Sequence, residues 1–498
     1  MSINVGFTVP KDPGTYVRTD NSAAKGQGGA IGRALCLGQR LSAGTVAKEL
    51  LRFVPSKAAA RAYFGVGSML AREIEAYMDA YPQGEVWAIA QDELSAGTAA
   101  TGTILVAASG SQTGLITLRI GGQYVYCAVT AGDAANTIAT ALAAAINAVT
   151  SLPVTATANT ATVTMTVRWK GVTGNSIVTE VNPLGADARQ VLPTGVTLTV
   201  TAIGGVVAGA GAPDLDNSLA AITGTYDVIV CPYADAVSLD DIETKKAADW
   251  DPLTMKYGHV CTAYDATYAN WITFATTILQ NDPHTSLAPA PGSYMPRPPW
   301  ERAGIFGAKT MAHQVDAQPG ELAQGFSGVE MTGDIPCLDD NEFTPTERNI
   351  LLGYGISSGY VSGGNVYINR ARTTYLTDES GETDSSYYDQ RTLFILQYLN
   401  RADKAAWQVK FQGAAIPDEN VDVSGVKIVT PNLARGFFAG QYSKHRSSAL
   451  VRNIDLFLKN LEIEEDDDDP TQINVIYPPN ITGWLAVSAW VNRFRIGG

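Results

Sequence analysis

The chain has 498 residues, 45% of them hydrophobic, which is enough for several buried cores and excludes a disordered protein. Charged residues make up 17%, below the usual ~25%, and glycine is frequent at 48 residues. A net charge of −14 argues against a broad nucleic-acid footprint and against binding to anionic membrane, and leaves room for a local basic patch.

The opening residues lack a basic stretch followed by an apolar one, and no run of ~18 uncharged apolar residues is present, so the expectation is a protein made and folded in the cytoplasm. The cysteines (Cys36, Cys127, Cys231, Cys261 and Cys337) are odd in number, far apart and never at C-x-x-C spacing. They read as free thiols in a reducing compartment.

In chain order, Ile3, Val5, Phe7 and Val9 alternate with Asn4, Gly6 and Thr8, a strand pattern that stops at Pro10. Asp20–Gly32 is small and polar, so a strand-capable arm joins the body through a loose linker. Such a strand is either disordered or adds to another sheet. An α/β alternation follows: a strand at Ala34–Leu37, a helix capped by Ser56 through Arg61, a helix over Ser68–Tyr81, and a strand at Glu85–Ala90.

Gly97–Gly205 differs in being rich in Thr, Ala, Gly and Val, with few charges. Short strands are predicted at Thr103–Ala107, Leu115–Ile120, Gln123–Val129, Ala161–Val167 and Val196–Thr201, with one helix capped by Asp133 and running to about Val149. The α/β theme then resumes with a helix at Ser218–Ile222, a strand at Tyr226–Cys231, a helix at Asp240–Ala248, a strand at His259–Thr262 and a helix at Tyr268–Leu279. A Pro-rich stretch, Pro289–Pro299, leads to a helix opened by the Thr344-x-x-Glu347 capping box. A strand at Asn365–Asn369, a helix over about Tyr387–Arg401, a short element at Val426–Thr430 and a helix near Ala449–Lys459 follow. Two late strands, Gln472–Tyr477 and Trp484–Ile496, end the chain.

The fold class is therefore α/β and α+β, multidomain. Residues 1–22 form an N-terminal arm and linker, and residues 23–96 with 206–330 a discontinuous α/β domain. Residues 97–205 form an inserted β-rich domain with one helix, 331–483 a C-terminal α+β domain, and 484–498 a C-terminal strand arm.

Gly355-Ile356-Ser357-Ser358-Gly359 matches G-x-S-x-G, the pattern of a serine-hydrolase elbow. An elbow follows a strand and opens a helix, whereas this stretch runs from helix to strand, with His445 the lone downstream base. A Gly-rich turn is the stronger reading. Gly26–Ala30 precedes the first body strand and is no dinucleotide loop, and no phosphate-binding G-x-x-x-x-G-K-[ST] is present. The four histidines lack zinc spacing. The acidic run Glu462–Asp469 lacks the ligand alternation and central glycine of a calcium loop and reads as a solvated loop. Lys444-His445-Arg446 with Arg452 reads equally as ordinary surface and as a contact face for an acidic partner. In the last strand, Trp484, Ala486, Ser488, Trp490, Asn492, Phe494 and Ile496 share one face, and Leu485, Val487, Ala489 and Val491 the other. Two apolar faces suit either an internal strand or, with the strand-like N-terminus, strand addition between subunits.

Several segments in order resemble the tail sheath proteins of contractile-tailed phages, most closely the Mu-like group. They are Pro13-Gly14-Thr15-Tyr16-Val17, Phe64–Leu70, Tyr226–Tyr233, and Glu347 … Gly355-Ile356 … Val366–Tyr375 with Arg370, Thr373, Thr374 and Tyr375. Asp384–Tyr387 with Asp389, Thr430-Pro431 and Tyr477-Pro478-Pro479 continue the pattern. The resemblance is weakest over Gly97–Gly205. It implies a structural protein with no enzymatic activity and no cofactor, whose copies stack as six-fold rings in a helical sheath around a tail tube. The implied partners are further copies, the tube protein, the baseplate and the tail terminator, with no direct nucleic-acid or membrane contact, in a virion assembled in the host cytoplasm. It further implies strand exchange between subunits through Ile3, Val5, Phe7, Val9, Leu485, Val487, Trp490, Val491 and Phe494, a tube-facing C-terminal domain with Lys444, Arg446 and Arg452 as candidate contacts, and an outward-facing insert. The alternatives are the sheath of a tail-derived injection device, a serine hydrolase, and a surface-binding protein built on the insert.

Overall fold

The computed structural model describes residues 32–417 and 426–493. The expected N-terminal strand, with Ile3, Val5, Phe7 and Val9, lies outside the described residues, as does Phe494.

The first described strand, β1 (Arg33–Gln39), is buried along its length from Ala34 onward, which marks it as central. After β2 (Leu51–Phe53), Ser56 Oγ accepts the amide of Ala59 and starts α1 (Lys57–Phe64). Ser68 Oγ does the same for Ala71 in α2 (Met69–Ala80), and β3 (Glu85–Gln91) returns parallel to β1.

The next eight elements build two antiparallel sheets and a helix: β4 (Thr101–Ala108), β5 (Gly114–Ile120), β6 (Gln123–Val129), α3 (Ala135–Ala148), β7 (Val154–Asn159), β8 (Thr162–Val167), β9 (Thr179–Val181) and β10 (Val196–Thr201). The sheets have the orders β10-β4-β8-β7 and β6-β5-β9, so every strand pairs within this segment. In β8, Val163, Met165 and Val167 are buried and alternate with threonines. Asp133 does not cap α3. The helix starts one residue later than expected, Ala134 is its N-cap, and the Asp133 carboxylate instead accepts the amide of Thr130 in the preceding turn.

The chain then continues through α4 (Asp216–Ala220), β11 (Val228–Val230), α5 (Ala236–Trp250), β12 (His259–Thr262), α6 (Tyr268–Thr277), β13 (Thr285–Leu287) and α7 (Pro299–Thr310). β11 pairs parallel with β1, on the edge opposite β3, and completes a six-stranded sheet of order β13-β12-β11-β1-β3-β2. The sheet is thus interrupted in sequence between β3 and β11 and continuous in space. A parallel sheet must be covered on both faces. One face, with Ala34, Cys36, Ala88 and Val230, packs in the same core as Ile74 of α2 and Phe306 of α7. The other, with Leu35, Leu37, Ile89 and Ile229, shares its core with Leu219 and Ile242 and with Ile104, Leu118, Leu142 and Met165 of the β-rich segment. That segment is welded to the sheet rather than set apart from it. Trp169 meets Trp300 edge to face at 5.3 Å, and Arg72 of α2 donates to Glu301 of α7 and to the carbonyls of Gly121 (2.7 Å) and Ser151 (3.2 Å).

The last region holds α8 (Pro319–Leu322), α9 (Pro345–Gly353), β14 (Ser358–Ser362), β15 (Asn365–Arg370), α10 (Gln390–Phe411), α11 (Pro431–Ser447), α12 (Ile454–Asn460), β16 (Glu462–Glu465) and β17 (Ile473–Ile476). The Thr344–Glu347 capping box is formed at α9. α10 runs ten residues past the expected Arg401, because Trp407 and Phe411 pack on Phe437 of α11. In 426–430 there is no regular element, and one bridge joins Ile428 to Ala415. The expected strand over Trp484–Ile496 is not formed in its described part, residues 484–493, and no strand among the described residues pairs with it.

Candidate functional site

The Gly355–Gly359 segment is a packed turn. Gly355 has φ +81°, and a Cβ there would press on Thr374 Cα and O at 3.1 Å. The buried Ser357 Oγ donates to the Arg372 carbonyl (3.2 Å) and accepts the Arg372 amide (3.0 Å). His445 is elsewhere, with Nε2 2.7 Å from Asp403 Oδ1 between α11 and α10. The hydroxyl is committed to the backbone and the imidazole to another carboxylate, so the hydrolase geometry is not assembled.

The signature residues form a joint between the C-terminal region and the edge of the parallel sheet. Thr374 Oγ1 donates to the Asp282 carbonyl (2.9 Å) and accepts its amide (3.1 Å), and Thr374 N donates to Thr285 O on the edge strand β13 (3.0 Å). Burial alone would push the Asp282 carboxyl up, but hydrogen bonds from His284 and the Thr285 hydroxyl outweigh it and hold the group below the usual carboxylate range. Thr373 Oγ1 donates to Tyr387 O (2.6 Å), and the Tyr375 hydroxyl donates to Asp384 (2.8 Å). Glu347 accepts the Thr344 amide at the start of α9 (2.8 Å).

Arg370 makes a two-point bridge to Asp389 (2.8 and 3.0 Å), with its guanidinium 4.3 Å from the Tyr388 ring centre. Arg372 covers the same ring at 3.8 Å. Asp389 also accepts the Trp484 indole N–H (2.9 Å). Sequence reading placed Arg370 in a signature and Trp484 in a strand and missed that they share one carboxylate. The Arg370 … Asp389 spacing gives no local signal, since the bridge spans a loop.

Beyond Trp484 the burial pattern inverts. Leu485, Val487, Trp490 and Val491 are 81%, 79%, 89% and 83% exposed. An internal strand is excluded for these residues. The sequence alternation reflects a segment with no strand partner among the described residues.

The chain is 30% identical over 494 residues to a tail sheath protein of the Mu-like prophage FluMu from Haemophilus influenzae, covering 97% of this chain and 95% of that protein. It belongs to the tail sheath proteins of Mu-like phages. No family model matches the chain. Solved structures of sheath tail proteins from Desulfitobacterium hafniense and Listeria innocua align with 94% and 92% of this chain and 100% and 94% of theirs, at 12% and 10% identity and TM-scores of 0.45 and 0.48.

On this sheath protein, Lys444 and Arg446 are exposed in the last turn of α11, and Arg452 is exposed just before α12, where Nε donates to Asn480 (3.3 Å). His445 between them is buried, so the basic cluster is split between surface and core. The acidic run folds as β16 and its turn. Asp466 accepts the amides of Asp468 and Asp469 (3.0 Å each) and side-chain donors from Gln472 and Asn474. Among the described residues no group of acidic, His and Cys side chains could hold a metal, and no helix is long and apolar enough to cross a membrane. All five cysteines are buried and unpaired.

Proposed function

We propose that the protein is the structural subunit of a contractile tail sheath, in which copies polymerise as six-fold rings in a helical tube around a tail tube and contract to drive that tube through the host envelope. The observation that carries this reading is the identity across nearly the whole chain with a Mu-like prophage tail sheath protein.

The exposed apolar segment supports a strand-exchange mode of assembly. In a lone subunit Leu485, Val487, Trp490 and Val491 leave hydrocarbon in water, and a strand added to a neighbour removes it. The β16–β17 sheet has no third strand among the described residues, so its edges suit a receiver. Ile3, Val5, Phe7, Val9 and Phe494 complete the donor set in this reading. Ladder bonds are made by backbone, so such a tether survives changes in the side-chain contacts around it. Contraction is then rigid-body rotation of tethered subunits into a lower-energy lattice.

In the same reading residues 331–483 face the tube, with Lys444, Arg446 and Arg452 meeting an acidic surface, and residues 97–205 project outward. The baseplate and tail terminator bound the polymer, which is built in the host cytoplasm and carried in the virion. No enzymatic step is required, and the commitment of Ser357 Oγ to Arg372 supports a structural role.

Negative-stain electron microscopy of the purified protein tests the reading. Hollow six-fold tubes are expected. A protein that stays monomeric both alone and with a co-expressed tube protein would overturn it. Deleting residues 2–9 is expected to leave a folded monomer that forms no sheath, and normal assembly by that truncation counts against strand exchange.

A further inference from the structure

We propose that Trp484 is the anchor of the C-terminal arm, a fixed pivot that holds the root of the arm on its own subunit while the residues after it leave for a neighbour. The inference rests on the strand-exchange reading above and assigns it a positioning residue.

The chain approaching Trp484 is held at successive points. Arg452 N donates to Asn480 O (2.8 Å), Ile481 bridges Val451, and Thr482 N donates to Leu450 O (2.9 Å). Arg391 donates to the Thr482 carbonyl. Trp484 is the last held residue among the described ones. Its indole N–H donates to Asp389 (2.9 Å), a carboxylate already fixed by Arg370, whose guanidinium lies 5.5 Å from the indole ring. Gly325 lies flush against the other part of the ring, where any Cβ would overlap it. From Leu485 to Arg493 the side chains are exposed, and the Trp490 indole donates to the Ser488 hydroxyl two residues away. Two tryptophans six residues apart thus have opposite environments, and the change from held to unheld falls between Trp484 and Leu485.

The anchor matters because a tethered strand acts at an effective concentration set by the length and direction of its free segment. With Trp484 seated, the free arm starts at Leu485 and leaves the surface at one place. With it released, the arm starts nearer Thr482, gains ~3.3 Å of reach per freed residue and loses its direction. Trp suits this role because a large rigid ring gives contact area at low entropy cost, and its single N–H fixes the orientation.

The test uses the full chain with Trp484→Ala, Trp484→Phe and a truncation after Gly483. Three quantities are read: the critical concentration for sheath assembly, alone or on a co-expressed tube; the melting of the monomer; and the rate of protease cleavage near Leu485. For Trp484→Ala the expected result is unchanged melting, faster cleavage, and a critical concentration raised by ~3-fold or more. Trp484→Phe, which keeps the ring and loses the donated bond, is expected to lie between. Assembly of Trp484→Ala at the wild-type concentration, with the truncation unable to assemble, overturns the anchor and leaves the arm reading standing. Normal assembly by the truncation overturns the arm reading and the anchor together. Should Trp484→Ala lower the melting of the monomer, Trp484→Phe decides, and a wild-type critical concentration for it overturns the proposal.

Discussion

Two regions of this subunit break the usual rule of burial in opposite directions. Around α2 and α7, charge is buried: Arg72 and Glu301 are almost fully enclosed, with Arg297 completing the cluster and Arg302 paired to Asp334 beside it. At residues 485–491, hydrocarbon is exposed. Both arrangements cost free energy on their own. The first is offset inside the chain, because carbonyls of Gly121 and Ser151 and a second arginine satisfy the ions where the β-rich segment meets the sheet. The second has no compensation within the described chain. A cost settled internally belongs to the fold, and a cost left open belongs to a partner.

The comparison can be broken at either end, and the largest effect is expected at the buried charges. Glu301→Ala strands Arg72 in the core and is expected to destabilise the monomer by about 3–5 kcal/mol in urea unfolding. A loss below ~1 kcal/mol would mean that the cluster is wetter than its burial implies. Gly355→Ala forces a side chain into a left-handed position against Thr374 and is expected to cost about 1–3 kcal/mol, read from the same transition.

A pH series sharpens the picture of the buried acids. Asp265 lies beside the Arg302–Asp334 pair, and burial pushes its carboxyl from 3.8 to about 7, against the pull of Arg302. The folded state therefore holds a proton that the unfolded state has lost between pH ~4 and ~7, and Asp265 lowers stability as pH rises through that window. Asp265→Asn removes the slope. The stability of the variant relative to wild type should climb from pH ~4 to ~7 and then level off, and a flat difference would refute the shift. The smallest effect belongs to the other region. Trp490→Ser should change monomer stability by no more than ~0.5 kcal/mol while impairing assembly, and a larger loss of stability would place Trp490 in the subunit's own fold.

Much of the architecture was legible because its signals are local. Ser56, Ser68 and Thr344 cap helices with the amides three residues on, a relation written in adjacent residues. β6 and β12 have the predicted bounds, since alternation or an apolar run fixed them. Besides the four-residue α8, two helices were passed over, α7 and α11. Both carry proline at their first position, after Pro298 and Thr430, and that signal was read as a Pro-rich stretch and as a family fragment instead of as a helix start. β9, β13 and β14 were missed because three to five residues carry too little periodicity. At the candidate site, the tail residues and the signature were found, but their meeting at Asp389 was not. Alternation at Trp484–Ile496 predicted a strand, and a strand needs an edge to pair with, which the described residues do not supply to residues 484–493.

By itself the sequence determined the caps, the run of α/β elements, the interruption by a Thr- and Val-rich segment, and the family, because each is carried by neighbouring residues or by an ordered set of motifs. The tertiary structure decided the rest. It decided that the interrupting segment shares a core with the parallel sheet, that Ser357 is spent on a backbone, and that Asp389 joins Arg370 to Trp484. These are contacts between residues far apart in the chain. Whether a hydroxyl is free or a strand has a partner depends on what the fold brings beside it, and no local pattern encodes that.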